Sequence, residues 1–238
     1  MSEASAAELP APPEVAGEIF GERLSDAVRY AELLAEVAVE RGLIGPREVP
    51  RLWERHLLNC AVLSEVVPES VTVCDVGSGA GLPGIPLALV RPDLRITLLE
   101  PLLRRTNFLR EVVELLGLEQ VSVVRGRAEE VLGSFEPVHV VTARAVAPLD
   151  RLAGWGVPLL RPYGQMLAIK GDTAEEELRG ARAALGKLGV VATSVTRAGV
   201  GLLDAPSTVV RVEVGESPGG VRFAGKRARA QRGSRRRR

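Results

Sequence analysis

The run Val73-Cys74-Asp75-Val76-Gly77-Ser78-Gly79-Ala80-Gly81-Leu82-Pro83-Gly84 decides how this chain folds. Its first residues continue a short β-branched stretch that begins at Val71, the pattern of a buried strand. Glycines follow at once, so the backbone must turn tightly and approach a ligand closely. Residues 85–90 resume as helix, with Pro86 accommodated in the first turn. Strand, glycine turn and helix in this order open a nucleotide-binding α/β unit.

Downstream, the same texture repeats. Apolar runs at 95–99, 121–124, 138–142 and 165–169 read as strands. Helical stretches at 102–116, 128–132, 149–160 and 174–188 separate and follow them, and 190–195 with 208–214 reads as a closing strand pair. The alternation predicts an α/β fold with a mostly parallel twisted sheet, helices on both faces, and ligands at the carboxyl ends of the strands. Upstream, Ile19, Leu24, Val28, Ala31, Leu34, Ala35 and Ala38 recur at helical spacing, predicting a helix over 14–41. A second helix is predicted over 50–67, ended by Pro68. The expected organisation is a disordered Pro-rich start (1–13), a helical extension (14–68), the α/β domain (69–215) and a disordered basic tail (216–238).

Composition limits the partners. The chain has 238 residues, 46% of them apolar, enough for one sizeable core. Aromatics are only 3%, which argues against an aromatic base-stacking platform. Nine of the 31 basic residues lie in 222–238, a stretch without acids; the rest of the chain holds 22 basic against 30 acidic residues, a net of about −8. A basic extension on an acidic body suits a polyanionic partner. Two cysteines, Cys60 and Cys74, make neither a CxxC motif nor a disulfide framework. His56 and Cys60 stand one helical turn apart, but no second pair with ligand spacing follows, so no metal is expected. No secretory leader and no bilayer-spanning run is read, and a cytoplasmic protein is expected.

The glycine loop fits two frames. Gly79, Gly81 and Gly84 satisfy GxGxxG, the dinucleotide fingerprint, which would make the chain an NAD(P)-dependent oxidoreductase. Asp75, Gly77, Gly79 and Gly81 satisfy Asp-x-Gly-x-Gly-x-Gly, which resembles the first motif of the Rossmann-like methyltransferases that bind S-adenosylmethionine. An acid at Asp75 would repel a pyrophosphate and suits a cationic methyl donor. Glu100 ends the second strand, where a carboxylate accepts ribose hydroxyl protons in either cofactor class. After the third strand, Arg127-Ala128-Glu129-Glu130 stands where methyltransferases read adenine.

The acceptor side is read by elimination. After the fourth strand stands Thr142-Ala143-Arg144-Ala145-Val146-Ala147-Pro148, without the (Asp/Asn/Ser)-Pro-Pro-aromatic loop of exocyclic amine methyltransferases. Neither cysteine is placed as a nucleophile for a pyrimidine carbon. A ring nitrogen such as guanine N7 needs alignment and no general base. Lys170, which ends the fifth strand, and Arg144 are the candidates to position that substrate. A non-enzymatic RNA-binding module driven by the tail is the remaining alternative.

Together these segments resemble the glucose-inhibited division protein B family, the small-subunit rRNA guanine-N7 methyltransferases. The likeness runs from Trp53 to Gly171 and rests on Arg55-His56, the Asp75 loop with its Gly-Leu-Pro-Gly-Ile-Pro extension, and Arg91-Pro92. It continues through Leu98-Leu99-Glu100, Arg105 with Phe108-Leu109, Arg127-Ala128-Glu129-Glu130, Ala143-Arg144-Ala145 and Lys170-Gly171. It implies a Rossmann-like class I methyltransferase that uses S-adenosylmethionine, with cofactor contacts at Gly77, Leu82, Ala128, Glu129 and Arg144; Asp75, Gly79 and Gly81 of the loop motif and Glu100 at the strand end complete the candidate cofactor site. It further implies 16S rRNA or the small ribosomal subunit as partner; Arg55, His56, Arg105 and Lys170 are the candidates to face RNA, and the basic tail with Arg235 and Arg236, an addition to the family pattern, is a candidate phosphate clamp. A monomer, free of metal and membrane, is expected. Three departures from the family pattern stand out. Glu100 replaces the usual aspartate, Asn59-Cys60 replaces Asp-Ser after Arg55-His56, and an upstream Trp-Asn…Asn-Leu-Thr segment is missing.

Overall fold

The computed structural model describes residues 8–220. Its centre is a seven-stranded sheet of order β3-β2-β1-β4-β5-β7-β6. The strands are β1 (Thr72–Val76), β2 (Arg95–Glu100), β3 (Val121–Arg125), β4 (Val138–Arg144), β5 (Leu160–Lys170), β6 (Val190–Ala198) and β7 (Ser207–Val214). The first five run parallel, while β7 pairs antiparallel with both β5 and β6. Strand order reverses at β1, which lies between β2 and β4. A crevice therefore opens beyond the ends of β1 and β4, where the two crossovers leave in opposite directions.

The helices are α1 (Glu14–Phe20), α2 (Leu24–Leu33), α3 (Asn59–Ala61), α4 (Gly84–Val90), α5 (Leu103–Leu115), α6 (Ala128–Val131), α7 (Leu149–Gly156) and α8 (Ala174–Lys187). Period-two alternation splits the sheet between two cores. Val73, Leu98, Val140 and Leu167 face one core with Phe20, Tyr30, Leu57 and Phe108. Cys74, Leu99, Val141 and Met166 face the other, with Leu152, Ala153, Ala181 and Leu185. The N-terminal helices thus share a core with the first face of the sheet.

Four expectations on secondary structure are corrected. The helix read over 14–41 breaks at Gly21, whose φ of 51° leaves the right-handed helical region, and α2 then widens into a π turn, Leu34–Ala38. The helix read over 50–67 is a 3-10 turn around Pro50, a π-helical stretch Leu52–Leu58, the short α3 and a second 3-10 turn. The helix read over 149–160 stops at Gly156 and passes into a 3-10 turn, Val157–Leu159, where Pro158 has no N–H to continue the helical ladder. Leu160 therefore already belongs to β5. The chain is also ordered ahead of position 14: Leu9 packs on the core and the Trp53 indole donates to the Pro10 carbonyl (3.0 Å).

Candidate active site

The glycine loop is built so that backbone, not side chains, faces the crevice. Gly77 N–H donates to the Leu99 carbonyl (2.8 Å), which ties the loop's start to β2. Gly77 has φ 71°, and a Cβ would stand 3.0 Å from Val146 Cγ1 in the loop after β4. Gly81 has φ 105°, and a Cβ would stand 2.6 Å from Ile85 Cγ1 and 2.8 Å from the Tyr30 hydroxyl. One glycine thus serves the cavity wall and the other serves packing.

Asp75 is fully buried beneath this loop. Its Oδ2 accepts the Gly84 N–H (3.1 Å), while Oδ1 has no partner among the described residues. Burial pushes its carboxyl up to about 7. Gly84 is the first residue of α4, so the donor that a pyrophosphate would seek at this helix start is already occupied by a carboxylate. The dinucleotide frame is therefore untenable, for a more specific reason than repulsion alone.

A cavity of about 710 Å3 opens above the loop. It gathers Gly77, Gly79, Leu82, Glu100, Ala128, Glu129 and Arg144, all expected at a cofactor site. Asp75 and Gly81 do not line it; they hold the loop from behind. The cavity also takes residues that sequence reasoning missed: Leu43 and Ile44 from the turn after α2, Leu102 before α5 and Trp155 on α7. A further missed residue is Tyr30, whose hydroxyl donates to the Ala80 carbonyl (2.8 Å). Helical spacing marks such residues only as core, and no local signal links them to the loop.

Glu100 is almost fully buried at the cavity floor. Its Oε2 accepts the Gly79 N–H (3.0 Å) and its Oε1 the Leu102 N–H (3.0 Å). Arg105 Nη1 lies 3.7 Å from Oε2, which places Arg105 on the cavity wall. Across the cavity, Arg127 caps α6 with Glu130 reaching back to its N–H (3.2 Å), which leaves the first turn of α6, Ala128 and Glu129, along the wall.

Arg144 ends β4 between two spaces. Its Nη1 donates to the Arg55 carbonyl (2.8 Å) and its Nη2 to His56 Nδ1. A guanidinium only donates, so Nδ1 must accept and the imidazole proton sits on Nε2, which donates to Glu48 (2.8 Å). Burial, with the Arg144 charge, lowers His56 to about 4, so the ring is neutral near pH 7. The His56 bond in turn holds the Glu48 carboxyl below its usual range. His56 is thus locked inside, whereas the Arg55 side chain lies at the surface.

Beyond Arg144 lies a second cavity, of about 950 Å3. It shares Glu48, His56, Arg144, Ala145 and Val146 with the first and extends to Arg55, Asn59, Lys170 and Glu177. Lys170 is neither a solvated strand end nor a free cation: its Nζ donates to the Ala147 carbonyl (2.8 Å) and to Glu177 Oε2 (2.7 Å). Cys60 and Cys74 are buried, and burial raises the Cys60 thiol to about 11, so neither is available as a nucleophile. Among the described residues no group of three or more His, Cys, Asp or Glu side chains could hold a metal, and no helix is long and apolar enough to cross a membrane. Arg235 and Arg236 lie outside the described residues.

A parallel sheet with a β7 hairpin at its edge, a glycine loop after β1 and an acid after β2 define a Rossmann-like methyltransferase. Solved structures share this fold: the O-methyltransferase from Bacillus cereus in complex with SAH (TM-score 0.52, 15% identity, 78% of this chain and 90% of that one). M. jannaschii TYW2 in complex with AdoMet matches likewise (TM-score 0.52, 17% identity, 68% and 76%). The family profile described as GidB, rRNA small subunit methyltransferase G, matches residues 23–202, and the chain belongs to that family. Two relatives named ribosomal RNA small subunit methyltransferase G are similar over nearly their whole length. The one from Streptomyces avermitilis is 79% identical over 98% of each chain, and the one from Streptomyces coelicolor is 78% identical over 100% of this chain and 99% of its own.

The enzyme accordingly uses S-adenosylmethionine. The residues present fit it: glycine backbone at Gly77 and Gly79, a carboxylate at Glu100 for ribose hydroxyls, and apolar Leu102 and Ala128 for a purine.

Proposed function

We propose that this enzyme transfers the methyl group of S-adenosylmethionine to N7 of a guanine in 16S rRNA, at position 527 by family resemblance. The observation that supports the reading is the second cavity, which adjoins the first across Arg144 and is lined by Arg55, Arg144 and Lys170 and by neither cysteine. When bound, S-adenosylmethionine supplies an electrophilic methyl carbon on a cationic sulfur. Guanine N7 has a free lone pair and loses no proton on methylation, so alignment suffices. Neutral His56, with both nitrogens engaged, takes no proton in this scheme; it fixes Arg144.

Arg144 and Lys170 orient the base and its backbone, Arg144 from the wall shared by both cavities and Lys170 through its hold on the Ala147 carbonyl. The Arg55 and Arg105 side chains, with the basic stretch containing Arg235 and Arg236, face rRNA phosphates. The partner is the small ribosomal subunit or its 16S rRNA, in the cytoplasm, and the enzyme acts as a monomer.

The test is methyl transfer from radiolabelled S-adenosylmethionine to bacterial small subunits lacking their own modification, followed by nucleoside identification. Label in 7-methylguanosine is expected. Label in a different nucleoside, or donor binding without label in any rRNA, would overturn the reading.

A further inference from the structure

The second cavity contains an acid that methyl transfer itself does not require. Three glutamates open α8, and Glu175 and Glu176 are exposed, as acids at a helix start commonly are. Glu177 instead turns toward the cavity, where its Oε2 accepts both Lys170 Nζ (2.7 Å) and the Leu149 N–H (3.1 Å). Its Oε1 has no hydrogen-bond partner among the described residues. Glu48, the other acid of this cavity, has Oε1 engaged by Arg51 (2.5 Å) and Oε2 by His56 (2.8 Å). Glu177 therefore holds the open carboxylate oxygen.

Its place matters because a guanine has two unlike edges. N7 and O6 are acceptors on one edge, while N1–H and the 2-amino group are donors on the opposite one. A base that turns N7 toward the donor cavity directs its acceptor edge at the shared wall, where Arg144 offers only donors. Its donor edge then faces the side formed by Asn59, Lys170, Gly171 and Glu177, which line the second cavity and not the first. Enzymes that act on an extruded base commonly read that edge by hydrogen bonds.

We propose that Glu177 Oε1 accepts a hydrogen bond from the 2-amino group of the target guanine, making Glu177 a specificity-determining residue. The inference rests on guanine N7 being the methyl acceptor. Adenine lacks the 2-amino group and turns the N1 lone pair toward the carboxylate, so it is rejected. Inosine keeps N7, O6 and N1–H and lacks only the amino group, so it isolates the contact. Lys170 fixes the Glu177 side chain by occupying Oε2, which leaves Oε1 free to accept.

The test compares methyl transfer to reconstituted small subunits whose 16S rRNA carries guanosine or inosine at the methylated position. Wild-type enzyme should prefer guanosine on the order of 10-fold to 100-fold in kcat/KM. Glu177→Ala should bring that ratio close to one while S-adenosylmethionine affinity, read by calorimetry, stays unchanged. Lys170→Met releases the Glu177 side chain, and should slow both substrates and lower the preference without abolishing it. If Glu177→Ala fails to fold, Glu177→Gln preserves the volume, faces a donor with a donor, and should lower the same ratio. A wild-type enzyme indifferent to the 2-amino group, or a variant with reduced rates and an intact ratio, overturns the proposal and leaves Glu177 a strut for Lys170. A wild-type product other than 7-methylguanosine instead defeats the underlying choice of acceptor, and is visible without any variant.

Discussion

The hydroxyl of Tyr30, on the second N-terminal helix, donates a 2.8 Å hydrogen bond to the carbonyl of Ala80, fifty residues away in the glycine loop. The glycine loop is thus braced from outside the α/β unit. Tyr30→Phe leaves the Ala80 carbonyl buried without this donor, which should cost about 1–3 kcal/mol. Denaturant unfolding checks the stability, and calorimetry should show weaker S-adenosylmethionine binding. An unchanged affinity with lowered stability would confine Tyr30 to the core.

Gly77 and Gly81 should separate binding from stability. Gly81→Ala adds a Cβ 2.6 Å from Ile85 Cγ1 at a φ of 105°, which should destabilise the fold by roughly 2–4 kcal/mol. Gly77→Val places a branched side chain on the cavity wall against Val146 and should abolish donor binding in calorimetry. Donor binding by Gly77→Val at wild-type affinity would contradict the site assignment.

Asp75 and His56 should tilt stability in opposite directions over the same pH range. The folded Asp75 carboxyl sits near 7, above its ordinary 3.8. Between those values the unfolded chain loses this proton and the folded one keeps it, so the Asp75 contribution falls as pH rises. His56 is lowered from 6.5 to about 4, so its contribution is present above 6.5 and is lost as pH falls toward 4. Asp75→Asn should therefore make stability rise more steeply with pH between about 4 and 6.5 than in wild type. Denaturant midpoints at a series of pH values check this, and parallel curves for the two proteins would refute it.

Arg144 is one reason that His56 stays neutral. Arg144→Gln removes the charge and should raise the His56 titration toward the ordinary histidine value, observable by NMR of the imidazole protons. Methyl transfer should be lost as well if Arg144 positions the substrate as proposed. A His56 titration unchanged by the substitution would show that burial alone sets it.

Much of the fold could be read because its signals are local. The β-branched runs ahead of Asp75 and Glu100 and the glycines after Val76 fix the parallel core and the donor loop within a few residues each. Asp75 was legible as a loop acid but not as a buried one, since its contact with the Gly84 N–H forms only when α4 docks. Tyr30, Trp155 and Glu177 escaped notice for a different reason: their helices carry ordinary amphipathic patterns, and only the packing of distant segments turns these side chains to the cavities. Lys170 was located correctly in the chain, yet its partner Glu177 was not, so it read as an open cation. Gly21 ended a helix whose apolar spacing ran on through it, because periodicity does not register a change in φ.

The pairing of Lys170 with Glu177 also divides labour in capturing a substrate. Two opposite charges 2.7 Å apart leave only a dipole, whose field fades much faster with distance than that of a lone cation. The pair itself therefore adds little pull on an approaching polyanion. Attraction belongs to exposed arginines, Arg55 of the cavity's own lining among them, and added salt screens them first. Ionic strength should govern how often an rRNA helix arrives more than it governs the choice among bases.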